Sequence, residues 1–426
     1  MNAFLTLALL LAPADDFTGS FVMSYDEEPI FYARPPAADP IARFQRRLDS
    51  GEVKLEFKPG GRGWIDSILR ALNISPTSQT LVFSKTSLQL YRIGPSTPRA
   101  LYFNDDVYIG FVPNGDVVEI STVDPDRGGM FYTLDQRPSD RPRIARRDEC
   151  LQCHASPKTL GVPGHLVRSV YSDPEGYPMT NIGSFTTDLR SPFSERFGGW
   201  YVTGTHGSQT HMGNAFIRDR EKPDKLDKKG TLNRTSLRGL VDLDPYLTPH
   251  SDIVALTVLA HQTAFHNYVA RVNYETRVAL YMQAGMNKAL GRPEDEWSDS
   301  VKRRIDRAVE ILASQVFLSG EAPLTAPLRG TSGFAEQFAQ QGPFDRRGRS
   351  LRQFDLEKRI FRYPMTFLVY SDSFTRLPPI VLEKFQRRVR QVLTTDVKDY
   401  AHLSASDKQA IREILDDTRP AWWVTH

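Results

Sequence analysis

Residues 107–122 read V-Y-I-G-F-V-P-N-G-D-V-V-E-I-S-T. Two runs rich in β-branched and aromatic residues, 107–113 and 116–122, flank Asn114-Gly115. Asn and Gly tolerate the positive φ of a tight hairpin turn, so this pair between apolar runs is the strongest short-range hairpin signal. The reading extends outward from it. Residues 130–134 continue the β pattern, 79–84 form a short apolar run, and 53–58 alternate with period two. One helix interrupts: Trp64, Ile65, Ile68, Leu69 and Leu72 recur at helical spacing. Before it, the stretch to about residue 50, with Pro35-Pro36 and Pro40, reads as flexible.

Past residue 135 the β-like character continues and then ends. Residues 165–171 alternate, and 200–205 follow two glycines. Residues 218–230 are dense in Asp and Lys and read as a solvated linker. The remainder is helical. A long helix runs from Asp252 to about Gln283, with Ile253, Leu256, Leu259, Ala260 and Tyr268 on its inner face. A second carries Val301, Ile305, Ala308, Val309, Leu312 and Val316 and ends at Gly320. A Gly/Pro-rich excursion covers roughly 321–349. Two helices close the chain, one with Val381, Leu382, Phe385, Val389 and Val392, the other from near Ser404 with Ile411, Ile414 and Leu415. The fold class is α+β, with a β-rich N-terminal half and a helical C-terminal half.

The 426 residues include 54 Lys+Arg and 51 Asp+Glu, a formal charge of +3. That balance is too even for nucleic acid or an anionic membrane surface as the main partner. Hydrophobic residues are 40% and charged residues 25%, which excludes a disordered chain. No apolar run reaches the ~20 residues of a transmembrane helix, so no anchor is expected in the mature chain.

Only two cysteines exist, and they stand in C-L-Q-C-H at 150–154. Two cysteines three apart with His next would arise by chance on the order of once in 10,000 chains, so Cys150, Cys153 and His154 are read as one unit. The N-terminus, M-N-A-F-L-T-L-A-L-L-L-A-P-A, supplies a second clue. Ala3 to Ala12 are apolar, too short to span a bilayer, and Ala12-Pro13-Ala14 has the small-x-small cleavage pattern. Residues 1–14 read as a signal peptide, although no Lys or Arg precedes the apolar core. The protein is expected to be exported, to the periplasm or beyond.

The motif resembles the haem-attachment site of c-type cytochromes. That resemblance, which covers about five residues, implies one covalent haem c held through Cys150 and Cys153. It also implies His154 as proximal iron ligand, and maturation outside the cytoplasm. The setting differs from small cytochromes c, which are all-helical with the site on an N-terminal helix. The strand-rich flanks look more like haem-c sensor domains with PAS-like folds, and the whole chain is similar to large exported haem-c proteins of no assigned role. The organisation expected is 1–14 signal peptide, 15–135 β-rich domain, 136–220 haem c-binding region, 221–250 polar linker and 251–426 helical region. Zinc would want four ligands, and His154 sits too close to both cysteines to complete a tetrahedron. A thioredoxin-like pair would want a βαβ context.

The group opposite His154 decides the function. A closed iron transfers electrons; an open one can bind gas or peroxide. Distal candidates are His206, His211 and Met212 in a Gly-rich segment, and His261 and His266 on the long helix. Met212 falls at about the spacing at which small cytochromes place a methionine ligand. His261 and His266 are five apart and point about 140° from each other, so one metal cannot use both. His165 could reach the haem edge but reads better as a strand residue; His402 and His426 are set aside. Arg143, Arg146 and Arg147 could meet propionates or an anionic partner, or lie in a solvated turn. Phe197, Trp200 and Tyr201 could pack on the macrocycle or in plain core. The leading expectation is an exported single-haem cytochrome in electron transfer with redox partner proteins. A haem-based sensor or gas-binding module, and a peroxidase-like enzyme with His211 or His266 as acid–base group, are the rivals. The chain is far larger than a simple electron carrier needs, which keeps both in view.

Overall fold

The computed structural model describes residues 16–17, 21–34, 36–219 and 226–422. The leader with its cleavage pattern, part of the polar linker and His426 lie outside the described residues. The fold is α+β: a large antiparallel sheet in the N-terminal half and helices after it. The hairpin forms as its turn chemistry requires. Strand pairing centres on Asn114-Gly115, matching Val107 with Thr122 and Gly110 with Glu119, and Asn114 takes φ +56°.

The first helix, α1 (Pro40–Asp49), occupies a stretch expected to be flexible. Asp39 caps it, accepting from the Ile41 and Ala42 amides, and Pro40 stands in the first turn, where a missing N–H costs nothing. Tyr132 Oη donates to the same carboxylate at 2.7 Å, tying α1 to the sheet. Residues 53–58 alternate in exposure as expected but form no strand; their backbone bonds include the Val53 amide to Arg47 O, the Lys58–Gly63 bridge and the Glu56 amide to Ser67 Oγ. Helix α2 (Ile65–Ala71) follows.

Six strands make a meander: β1 (Thr80–Val82), β2 (Arg99–Phe103), β3 (Val107–Phe111), β4 (Val117–Asp124), β5 (Gly128–Asp135) and β6 (Ile144–Arg146). The short helix α3 (Leu151–His154) comes next, then a separate two-stranded ribbon, β7 (Arg168–Val170) and β8 (Ser184–Thr186). Strand β9 (Trp200–Tyr201) returns to pair with β1 at the sheet edge. Period-two alternation then assigns the faces. Ile109, Phe111, Val118, Ile120, Met130 and Leu134 join α1 and α2 in one core.

The opposite face is shared. Phe103 and Tyr108 are covered by α4 (Ile253–Leu290), which buries nearly every side along its first six turns. Asp252 caps α4 and Gly291 closes it with φ +66°. Helices α5 (Asp299–Val316), α6 (Phe334–Ala339), α7 (Asp372–Thr375), α8 (Pro379–Thr394) and α9 (Ala405–Thr418) pack around it and complete the larger core. Leu237, Val241 and Tyr246 of the segment after the polar stretch are buried against the sheet. No helix of the described residues is long and apolar enough to cross a membrane.

Candidate functional site

The rest of that second face, Arg99 and Leu101 on β2, Gly110 on β3, Val117, Glu119 and Ser121 on β4, is only partly covered, Gly110 apart. C-L-Q-C-H lies beside it. The Arg147 amide bonds Phe131 O as β6 ends, and a turn at Asp148–Cys150 leads into α3. Leu151 is buried and anchors the turn, while Cys150 is half-buried and Cys153 exposed. Cys150, Cys153 and His154 are i, i+3 and i+4, so a single helical turn presents all three on one side. Both thiols are free.

His154 is held from two directions. Its ring packs 4.5 Å from that of Phe131 on β5. Its Nδ1 lies 2.9 Å from Gly164 O, and the Gly164 amide returns a bond to His154 O at 2.8 Å. A carbonyl only accepts, so Nδ1 carries the proton and Nε2 keeps its lone pair. Burial pushes the imidazole pKa below its ordinary value, against the pull of the Gly164 carbonyl. The loop carrying Gly164 can lie on β5 because the strand opens with two glycines. A Cβ on Gly128 would stand 2.5 Å from Pro163 O, and one on Gly129 would stand 3.0 Å from Gly164 Cα.

Glu119 is bound by Arg99 at 3.0 Å and by Ser87 and Gln89. The Cys150 thiol is pushed up to about 11 by burial first, and by Glu149 and Glu119 after it. A reactive thiol needs the opposite shift, which burial denies to Cys150. Among the described residues no three His, Cys, Asp or Glu side chains gather to hold a metal ion, so zinc would lack its usual four donors. The donor set fits haem c: two uncommitted thiols, an imidazole with Nε2 as the free acceptor, and a half-open sheet face. A backbone carbonyl on the other ring nitrogen is the usual support for a metal-binding imidazole.

The five distal candidates are engaged elsewhere. His211 Nδ1 accepts from the Gly213 amide at 2.9 Å, which places its proton on Nε2. His206 Nε2 accepts from the Asn233 amide, and the two rings pack 4.7 Å apart beside Phe193. Met212 is buried, its sulfur 3.6 Å from Ser169 Oγ. His261 bonds Thr366 and packs among Phe265, Phe361 and Phe367. His266 Nε2 donates to Asp105 O at 2.8 Å. His402 donates to Phe317 O.

Of the flanking arginines, Arg146 lies over Tyr32 and pairs with Asp148, Arg147 donates to Thr133, and Arg143 is exposed. Phe197 packs on Phe193 and His211, Trp200 Nε1 donates to Arg168 O, and Tyr201 Oη donates to Pro95 O. All three aromatics are core.

His165 shares Phe131 with the motif. Its ring lies 5.8 Å from the same Phe131 and 4.8 Å from Tyr108, and it is 5% exposed. Among the described residues neither ring nitrogen has a hydrogen-bond partner. Burial holds its pKa well below the ordinary value, helped by His266 and His154. Asn267 on α4 clamps its backbone, accepting from the amide at 2.8 Å and donating to the carbonyl at 2.7 Å. The one sequence signal was its place in G-V-P-G-H-L, directly after the glycine that supports His154. Searched against protein-family models, curated proteins and solved structures, the chain matches none of them.

Proposed function

We propose that this chain is an exported single-haem c-type protein, with thioethers at Cys150 and Cys153 and His154 as proximal ligand, working in electron transfer. The observation that carries the reading is the His154 Nδ1 to Gly164 O bond at 2.9 Å, which leaves Nε2 as the ring's only acceptor within a C-x-x-C-H turn. The bound group supplies one-electron chemistry. The protein's part is to fix the tautomer of His154, to shield the ring against Phe131, and to leave the Cys153 side open. An exposed edge suits exchange with a redox partner protein, and Leu88, Leu90 and Tyr91, on the loop whose Ser87 and Gln89 hold Glu119, add exposed apolar surface.

A second reading has its own support. Each of the five distal candidates already makes a hydrogen bond or sulfur contact to another residue, which favours an iron open on one face and hence a gas-binding or sensing role. The reduced absorption spectrum with and without carbon monoxide separates the two. An unchanged low-spin spectrum supports electron transfer, and a shifted Soret band supports the second reading. His154→Ala should alter the spectrum while the colour stays covalently attached; a variant spectrum identical to the parent's removes His154 from the iron.

A further inference from the structure

A cleft of about 790 Å³ opens where the β2–β3 turn meets α2, α4 and α6, apart from the C-x-x-C-H turn. One wall is aromatic: Phe103 lies 5.6 Å from Phe334, which stacks on Phe338 at 5.4 Å. The charged groups on the remaining walls are almost all matched. Asp66 is paired with Lys58 and Arg62, and Asp105 with Arg352. Arg70 turns toward Glu56, both of them exposed. Asp106 is the exception. Its amide and carbonyl are satisfied by Asn104 and Thr122, but among the described residues no donor reaches its carboxylate.

A second acceptor on the same lining is also unmatched. Gln262 is fully buried, and its Nε2 is spent on Asn104 O and the Tyr108 hydroxyl. Among the described residues its Oε1 has no partner. The lining thus offers two acceptors without donors, one of them a carboxyl, beside an aromatic surface. A ligand that completes it brings N–H donors, positive charge and an apolar body. The state of the carboxyl agrees: burial first, then Asp105 and Asp372, push Asp106 up to about 7 against Arg43 and Arg352. A bound cation supplies the charge that those neighbours withhold.

We propose that this cleft is a binding site for a small organic cation, a protonated amine on an aryl or comparable apolar body, held by Asp106 and Gln262 against Phe103 and Phe334. The inference is independent of the haem reading. Isothermal titration of the full chain with phenethylamine, phenylethanol and phenylacetate tests it, since the three probes share a shape and differ in charge. Saturable binding of the amine alone is expected, weakened about tenfold by Asp106→Asn. The variant's urea midpoint is measured alongside, and the comparison of probes on the parent chain needs no variant at all. No binding of the amine, equal binding of the alcohol or carboxylate, or an unchanged affinity in a folded Asp106→Asn protein would each overturn the proposal.

Discussion

Asn267→Ala should be the costliest single change to the support of the C-x-x-C-H turn. Asn267 is 4% exposed and holds both backbone polar groups of His165, at 2.8 and 2.7 Å. Alanine leaves a buried N–H and a buried C=O without partners, at about 1–3 kcal/mol each, so the expected loss is about 3 kcal/mol. The residue before His165 is Gly164, whose carbonyl orients His154, so the loss is felt at the site as well as in stability. With a denaturant slope of about 3 kcal/mol per molar or somewhat more for a chain of this size, the urea midpoint should fall by up to about 1 M. Tryptophan fluorescence follows the transition. Asn273→Ala is the control: on the same helix, equally buried, it makes a single bond, from Nδ2 to Pro125 O at 2.9 Å. It should cost about half as much. Equal losses in the two variants, or a larger one at Asn273, would refute the clamp argument.

Three further outcomes are expected. Glu275→Ala strips the charge partner from Arg271, 8% exposed, and should cost about 3–5 kcal/mol by urea denaturation; a loss under about 1 kcal/mol contradicts it. Burial depresses the pKa of His211 and of His261 to about 3, so the folded protein binds fewer protons than the unfolded chain below about pH 6.5. Stability should therefore be complete above that pH and fall toward pH 3, by about 1.4 kcal/mol per pH unit for each group. His261→Gln should flatten the slope between pH 6 and 4 by one such increment, and an unchanged slope removes His261 from the titration. Cys150→Ser should leave the fold intact, since its thiol is only half-buried, while weakening attachment of the pigment; a haem that stays fully covalent through Cys153 alone would show that the first thioether is dispensable.

The elements legible in the sequence were those whose signals are local. Asn114-Gly115 dictates the hairpin because few residues accept its backbone angles, and Asp252 marks the start of α4 by capping chemistry, whereas its end lies at Leu290 before Gly291 and not at about Gln283 as expected. The C-x-x-C-H motif was plain as a spacing, but its place on a helical turn was not, since its flanks read as strands. Helix α1 was overlooked although Asp39-Pro40 announces it, since only Ile41 and Phe44 of its ten residues are buried. Residues 53–58 show why alternation alone misleads: exposure does alternate there, but the segment has no strand to pair with. The surroundings of the candidate distal histidines were not legible. What occupies their ring nitrogens is decided by contacts far along the chain, Thr366 for His261 and Asn233 for His206. The setting of His165 was hidden for the same reason: expected on a strand, it lies before β7 and is clamped by an α4 residue 102 positions away.

The account rests on one porphyrin joined to Cys150 and Cys153. Denaturing mass spectrometry of the protein, expressed with residues 1–14 in a host competent for cytochrome maturation, tests this directly. The predicted result is a chain heavier by one haem, with the added mass confined to the peptide containing residues 150–154. A bare polypeptide mass, with no absorption in the Soret region, would contradict it.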